Sequence, residues 1–234
     1  MKYKILLYLG NVLKPILTRL MPTKWKEFNE LLYWKSQSNN EGVLKNDHYE
    51  HFYTAHFGIE KSFYDGKVLM DVGCGPRGSL EWSKNAKRKI GLDPLANDYL
   101  KLGADKHSME YISAPSEHIP LEDGTCDAVF SFNSLDHVED INQSINEIKR
   151  CTKSGGLILL LVEVNHPPTS CEPHNVSPKF ILDSFGPEFT AEQVKVYKIT
   201  QQGMYACIRD GKTYEDPLNC MQKGYFSAKF TKNS

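Results

Sequence analysis

The chain has 234 residues, enough for one α/β domain with an appendage. Its 28 basic and 29 acidic residues leave a formal net charge of -1, which excludes an extended, charge-driven nucleic-acid footprint. With 40% apolar residues it can bury a sizeable core, and its six cysteines, none in a CxxC pair, give neither a zinc spacing nor a disulfide framework and fit a reducing, cytoplasmic compartment.

Residues 1–21 are apolar, but Lys14, Pro15 and Arg19 interrupt them too early for a transmembrane span, and no small-residue cleavage site follows. They read as a helix packed on the main domain, or as an amphipathic helix touching a membrane surface or a partner. Trp25, Phe28, Leu31 and Leu32 share one helical face, and the polar stretch 36–42 predicts a break. The aromatic-rich stretch 46–59 reads as a helix that either covers the sheet edge or lines a pocket wall. Residues 1–64 are thus expected to form a helical cap on a main domain of residues 65–234.

From there strands and helices alternate. Strands are predicted at 67–72, 89–93, 110–113 and 127–132, with helices at 79–87, 98–102 and 141–151. The last carries Ile141, Ile145 and Ile148 on one face. A turn at Ser154-Gly155-Gly156 precedes the apolar run 157–164, a central strand buried on both faces. A proline-rich loop over 163–178, a helix at 179–185 and strands at 193–199 and 225–232 follow, with a short strand or turn at 205–209. Two late strands joined by a loop predict an antiparallel hairpin closing a mostly parallel sheet.

The sharpest signal is Asp71-Val72-Gly73-Cys74-Gly75-Pro76-Arg77-Gly78, directly after Val68-Leu69-Met70. A glycine turn at a strand end lets backbone N–H groups, and the helix start expected after it, approach a ligand. About twenty residues on, Lys89-Ile90-Gly91-Leu92-Asp93 ends a second strand in a carboxylate, an arrangement that suits the ribose of a nucleoside cofactor.

Three further stretches fall in the same order: Glu117-His118-Ile119-Pro120-Leu121-Glu122-Asp123-Gly124-Thr125-Cys126-Asp127-Ala128-Val129, Phe132-Asn133-Ser134-Leu135-Asp136-His137-Val138, and Ile148 to Gly156. Together the five resemble the motifs of the class I S-adenosylmethionine-dependent methyltransferases, in particular their type 11 small-molecule group, over residues 66–232. The resemblance implies an α/β fold: a Rossmann-like, seven-stranded, mostly parallel sheet with an antiparallel C-terminal hairpin and a helical N-terminal cap. It implies S-adenosyl-L-methionine as cofactor and methyl transfer to an oxygen or nitrogen of a small-molecule acceptor, such as a sugar or natural-product intermediate. The alternatives are RNA or protein methylation, a catalytically silent cofactor-binding scaffold, and a dinucleotide oxidoreductase.

By the same resemblance Asp71 orients the turn or accepts from the methionine ammonium, Gly73 and Gly75 admit the cofactor, and Cys74 is a small spacer in that turn. Asp93 takes the ribose hydroxyls, while Leu92, Pro94 and Leu95 contact the base. Asn133 ends the fourth strand beside the methionine moiety. Where relatives carry an acid and a small residue facing the adenine amine, Pro115-Ser116 stands here. The contact then falls to Ser116 or to Glu117, unless Glu117 only braces the loop.

Transfer to a hydroxyl also needs a proton removed. Asp136-His137 is read as the base pair, as loop-ordering, or as a substrate contact. After the fifth strand come Glu163, His166, Glu172 and His174, on the side where parallel sheets bind ligands. There His166 is a base, a substrate contact or part of a hydrogen-bonded lid. These four residues read as a hydroxyl-binding network, a base or a metal site; their spacing matches no standard metal pattern, and no metal ligand is assigned. A histidine- and acid-rich pocket favours a polyhydroxylated or aminated acceptor, with Tyr49, Phe52, Tyr53 and Phe57 either stacking on it or burying the domain edge.

Overall fold

Seven strands form one sheet in the order β3-β2-β1-β4-β5-β7-β6 in the computed structural model, which describes residues 22–46, 49–169 and 171–234. The 1–21 segment, and with it the membrane-surface reading, lies outside the described residues. No helix among the described residues is long and apolar enough to cross a membrane.

Strands β1 (Val68–Val72), β2 (Arg88–Leu92), β3 (Glu110–Ile112), β4 (Cys126–Phe132) and β5 (Thr152–Val164) run parallel. β7 (Gly224–Lys232) inserts antiparallel between β5 and β6 (Phe189–Lys198), as the hairpin reading requires. Alternate side chains enter two cores, as the period of two dictates. Met70, Val129, Ile158 and Leu160 face α4 (Ile141–Cys151) and α5 (Pro178–Phe185); Leu69, Phe130, Leu159 and Leu161 face an aromatic layer of Phe52, Tyr53, Phe57 and Tyr64. Each aromatic ring so buried contributes roughly 1.5–3 kcal/mol. α4 matches its predicted bounds because Ile141, Ile145 and Ile148 share a face, Asp140 caps its start by accepting from Gln143 N–H at 3.0 Å, and Lys149 and Arg150 sit in its last turn.

Several elements differ from expectation. The helix predicted at 79–87 is a run of turns: Leu80, Trp82 and Ser83 all point inward, and no single helical face holds both 80 and 82. The glycine turn is therefore not followed by a helix start. α1 (Pro22–Glu41) runs through the predicted break and ends only where Gly42 turns left-handed, at φ 77°. The 46–59 helix is two short pieces, α2 (Glu50–Tyr53) and a 3-10 turn at Ala55–Phe57, halted by left-handed Gly58. β5 absorbs the predicted Ser154-Gly155-Gly156 turn as an irregularity in its pairing with β4. Residues 205–209 lie in α6 (Met204–Asp210), which buries Met204, Cys207 and Ile208 at helical spacing. A short α3 (Ala96–Lys101) follows β2.

Candidate active site

The carboxyl ends of β1, β2 and β4 open into a cavity of about 1230 Å³, roofed by α1 and walled by the 114–118 loop and the aromatic layer. The glycine turn forms its floor. Gly73 sits at φ 73°, and a Cβ there would lie 2.3 Å from Ser134 Cβ; the Ser134 hydroxyl in turn donates to the Val72 carbonyl at 2.8 Å. Glycine is thus required by the β4 loop as well as by any ligand. Gly73→Ala is expected to destabilise the protein by about 2–3 kcal/mol, read as a fall in the denaturant midpoint at unchanged m-value. Cys74 is buried below the turn against Gly91, where a Cβ would meet its Sγ at 2.7 Å, the spacer role expected of it. Burial pushes its thiol pKa well up.

Asp93 is 5% exposed at the end of β2. Its Oδ1 accepts from Leu95 N–H at 2.9 Å and its Oδ2 from Gly75 N–H at 3.3 Å, so one carboxylate ties the two glycine-turn and strand-end loops together. Burial, and then the Glu30 charge, raise its pKa to about 7. Asp71 is likewise buried and raised to about 7 by desolvation, although the Tyr53 hydroxyl donates to its Oδ2 at 3.0 Å. Ser79 and Asn46 line the same end of the cavity, buried, with side-chain polar atoms that have no partner among the described residues.

Ser116 bonds the Ser144 hydroxyl at 2.8 Å, and Glu117 Oε1 accepts from the Glu139 and Asp140 amides at 2.8 and 3.0 Å. Both line the cavity with Pro94, but Glu117 braces the loop before α4. Asn133 is exposed in the cavity wall at φ 55°, its backbone N–H donating to Leu161 O at 2.7 Å.

A second cluster flanks the cavity. Asp136 is 1% exposed and neither carboxylate oxygen has a hydrogen-bond partner among the described residues. Its Oδ1 lies 3.9 Å from His137 Nε2 and its Oδ2 3.7 Å from His166 Nε2. His137, which lines the cavity, is also 3.8 Å from Glu172 Oε1. Burial pushes Asp136 up to about 7; burial, then the Lys26 charge, pushes His137 down to about 4. His166 donates from Nδ1 to the Pro167 carbonyl at 3.0 Å, a bond only an N–H can make to a carbonyl. The two other residues predicted here are engaged elsewhere: Glu163 pairs with Lys223 at 2.6 Å, and His174 donates to Val138 O at 2.9 Å.

The profile of the family described as "Methyltransferase domain" matches residues 70–160, the span from the glycine turn to mid-β5. Curated relatives include a malonyl-(acyl-carrier protein) O-methyltransferase of Yersinia pestis, 34% identical over 99 residues (41% of this chain, 36% of that protein). A demethylmenaquinone methyltransferase of Thermobifida fusca is 29% identical over 112 residues (45% and 47%). The matched stretch thus spans less than half the length of either relative. Among solved structures, the complex between the Haloferax volcanii Trm112 methyltransferase activator and a methyltransferase aligns over 92% of this chain and 98% of that one, with TM-score 0.60 and 14% identity. A geranyl diphosphate methyltransferase in complex with its S-adenosylmethionine aligns over 76% and 82%, with TM-score 0.51 and 18% identity. Over residues 70–160 the chain matches a methyltransferase-domain family, and its fold is the one these solved methyltransferase structures share.

The site fits S-adenosylmethionine. Asp93 keeps acceptor lone pairs after its two backbone bonds, as a ribose diol would require. Asp71, Ser79 and Asn46 put polar groups at the other end of the same cavity, as an amino-acid moiety would require. Gly73, Gly75 and Gly78 keep the spacing of a dinucleotide fingerprint, but no helix opens after Gly78 to seat a pyrophosphate.

Residues of α1 are the main group the sequence reading missed. Lys26, Glu30 and Trp34 recur at i, i+4 and i+8 and face the cavity, while Trp25 on the neighbouring face is buried. Glu30 accepts from Tyr99 OH at 3.0 Å, Lys26 donates to the His137 carbonyl, and a Cβ on Gly75 would lie 3.2 Å from the Trp34 ring. Arg77 grips Glu41 with two bonds of 2.6 and 2.7 Å. A polar stripe at helical spacing beside an apolar one was the available signal.

Proposed function

We propose that this chain transfers the methyl group of S-adenosylmethionine to an oxygen or nitrogen of a small, polar acceptor, of the sugar or natural-product kind. The observation that carries this reading is one cavity with Asp71 and Asp93 on its cofactor side and the Asp136–His137–Glu172 cluster beside it. At about 1230 Å³ it exceeds the usual span of roughly 300–1,000 Å³ for a single-ligand site, leaving space for an acceptor beside the cofactor.

When bound, S-adenosylmethionine supplies a sulfonium methyl already activated for in-line displacement. What remains for the protein is alignment and proton removal. His137 reaches the cavity and is neutral at pH 7, so its Nε2 is free to accept the acceptor's proton. Asp136 and Glu172, each just under 4 Å from that nitrogen, stabilise the imidazolium that forms. Asp136 is a positioning residue, since it is buried behind His137.

The test is incubation of the purified chain with methyl-labelled S-adenosylmethionine and a panel of sugars, hydroxylated rings and amines. Label in an acceptor, lost in Asp93→Ala, supports the reading. Label in none of them by a chain that binds S-adenosylhomocysteine returns the scaffold alternative.

A further inference from the structure

We propose that Asp136, His137 and Glu172 form a binding site for a divalent transition-metal cation, with His166 bearing on the far oxygen of Asp136. One ligand atom from each of the three lies within 4.8 Å of the others. The His137–Asp136 and His137–Glu172 separations are 3.9 and 3.8 Å. The edge of a tetrahedral site built with bonds of about 2.0–2.2 Å is about 3.3–3.6 Å, so the two edges that meet at His137 lie a few tenths of an ångström outside it, while the Asp136–Glu172 edge is bounded by 4.8 Å.

Asp136 is the independent pointer. It is 1% exposed, both oxygens lack hydrogen-bond partners, and each faces an imidazole Nε2 across a gap too long for a hydrogen bond. A buried carboxylate is seldom left so, because its desolvation is uncompensated. His166 has its Nδ1–H committed to Pro167 O, and its Nε2 faces the far oxygen of Asp136 at 3.7 Å. Glu172 keeps one oxygen for His137 while its other holds Thr169 Oγ1 at 3.3 Å, which orients it as outer hydrogen bonds orient metal ligands.

The chemistry of the set selects the ion. One imidazole and two carboxylates are a mixed nitrogen–oxygen set, which suits Mn²⁺, Co²⁺ or Zn²⁺ better than Mg²⁺ or Ca²⁺, whose ligands are oxygens. The spacing rules for sequence did not reveal it because the ligands come from two loops, after β4 and after β5, that meet only in the fold. Three protein ligands leave a position open, and His137 lines the cavity where an acceptor would sit. With an ion bound, His137 no longer serves as base. A hydroxyl on the ion is acidified by it, its proton passing to solvent. That role rests on the methyl-transfer reading; the binding itself does not.

The untagged full chain, stripped with chelator, is titrated with Mn²⁺ by electron paramagnetic resonance and with Co²⁺ by visible absorption. Expected is one ion per chain, a cobalt spectrum without thiolate charge transfer, and binding weakened about 100-fold by Asp136→Asn and by Glu172→Gln. Affinity for S-adenosylhomocysteine stays unchanged in both variants, which shows that they fold. No ion taken up by wild-type chain that binds S-adenosylhomocysteine overturns the proposal. So does stoichiometric binding that survives Asp136→Asn, or a thiolate band that places cobalt on a cysteine. A chain that holds the ion through Asp136 but binds no S-adenosylhomocysteine keeps the metal site and removes the methyl-transfer reading.

Discussion

Replacing Asp93 with alanine is expected to weaken S-adenosylhomocysteine binding by about 10²–10³-fold. Hydrogen bonds to a charged group contribute roughly 1.5–3 kcal/mol each, and two ribose hydroxyls bonded to one carboxylate add up to about 3–4 kcal/mol after partial compensation by water. The same change frees Gly75 N–H from its 3.3 Å acceptor and loosens the turn, which adds to the loss. Stability should move the other way or not at all. A carboxylate 5% exposed and beside the Glu30 charge costs the ligand-free fold energy that alanine does not. Calorimetric titration measures the first effect and thermal melting of the ligand-free protein the second. Affinity within threefold of wild type would make Asp93 a turn residue only, held by Leu95 N–H, and would remove the ribose role.

The parts of this site that were legible in the sequence are those carried by single strands and their ends. Asp71 and Asp93 each terminate an apolar run, so their place at the carboxyl edge follows from the strand pattern alone. α4 was legible because its isoleucines repeat at helical spacing; the Asp140 cap appears only in the structure. The turn segment 79–87 was misread because helix propensity of a short polar stretch is a weak prior, and the inward packing of Leu80 and Trp82 overrides it. The α1 roof escaped notice for a different reason. Lys26 and Glu30 look like ordinary solvated residues until the fold lays that face over Gly75 and Tyr99. The Asp136–Glu172 meeting is a product of tertiary structure, since the two residues belong to loops after different strands. Cys207 and Cys220 are both free thiols.

Cofactor affinity is expected to rise with pH from 6 to 8 while the ligand-free fold becomes less stable over the same range. Asp71 and Asp93 both have their pKa raised by burial to about 7. In the proposed cofactor pose the ionised forms are the ones that would accept from the methionine ammonium and hold both ribose hydroxyls. Below pH 7 each group loses up to about tenfold of binding per pH unit as it protonates, so affinity at pH 6 should be roughly 10–100-fold weaker than at pH 8. Above about 8 the rise stops, because an α-amino group then begins to lose its own proton. The stability sign is opposite. Asp71, Asp93 and Asp136 bind a proton more tightly folded than unfolded, so their contribution is full below about pH 4 and is lost as pH rises through 7. Glu81, Asp127 and Glu147, whose ion pairs hold them below the usual range, lose stability in acid instead, which confines the clean comparison to pH 6–8. The ligand-free melting temperature should therefore fall with pH while the shift produced by S-adenosylhomocysteine grows, two trends that a general change in fold stability cannot produce together. Asp71→Asn should flatten the affinity profile by about one of the two decades. A wild-type profile flat from pH 6 to 8 would mean that water reaches both carboxylates and keeps them ionised, and the roof formed by α1 would then not be closed.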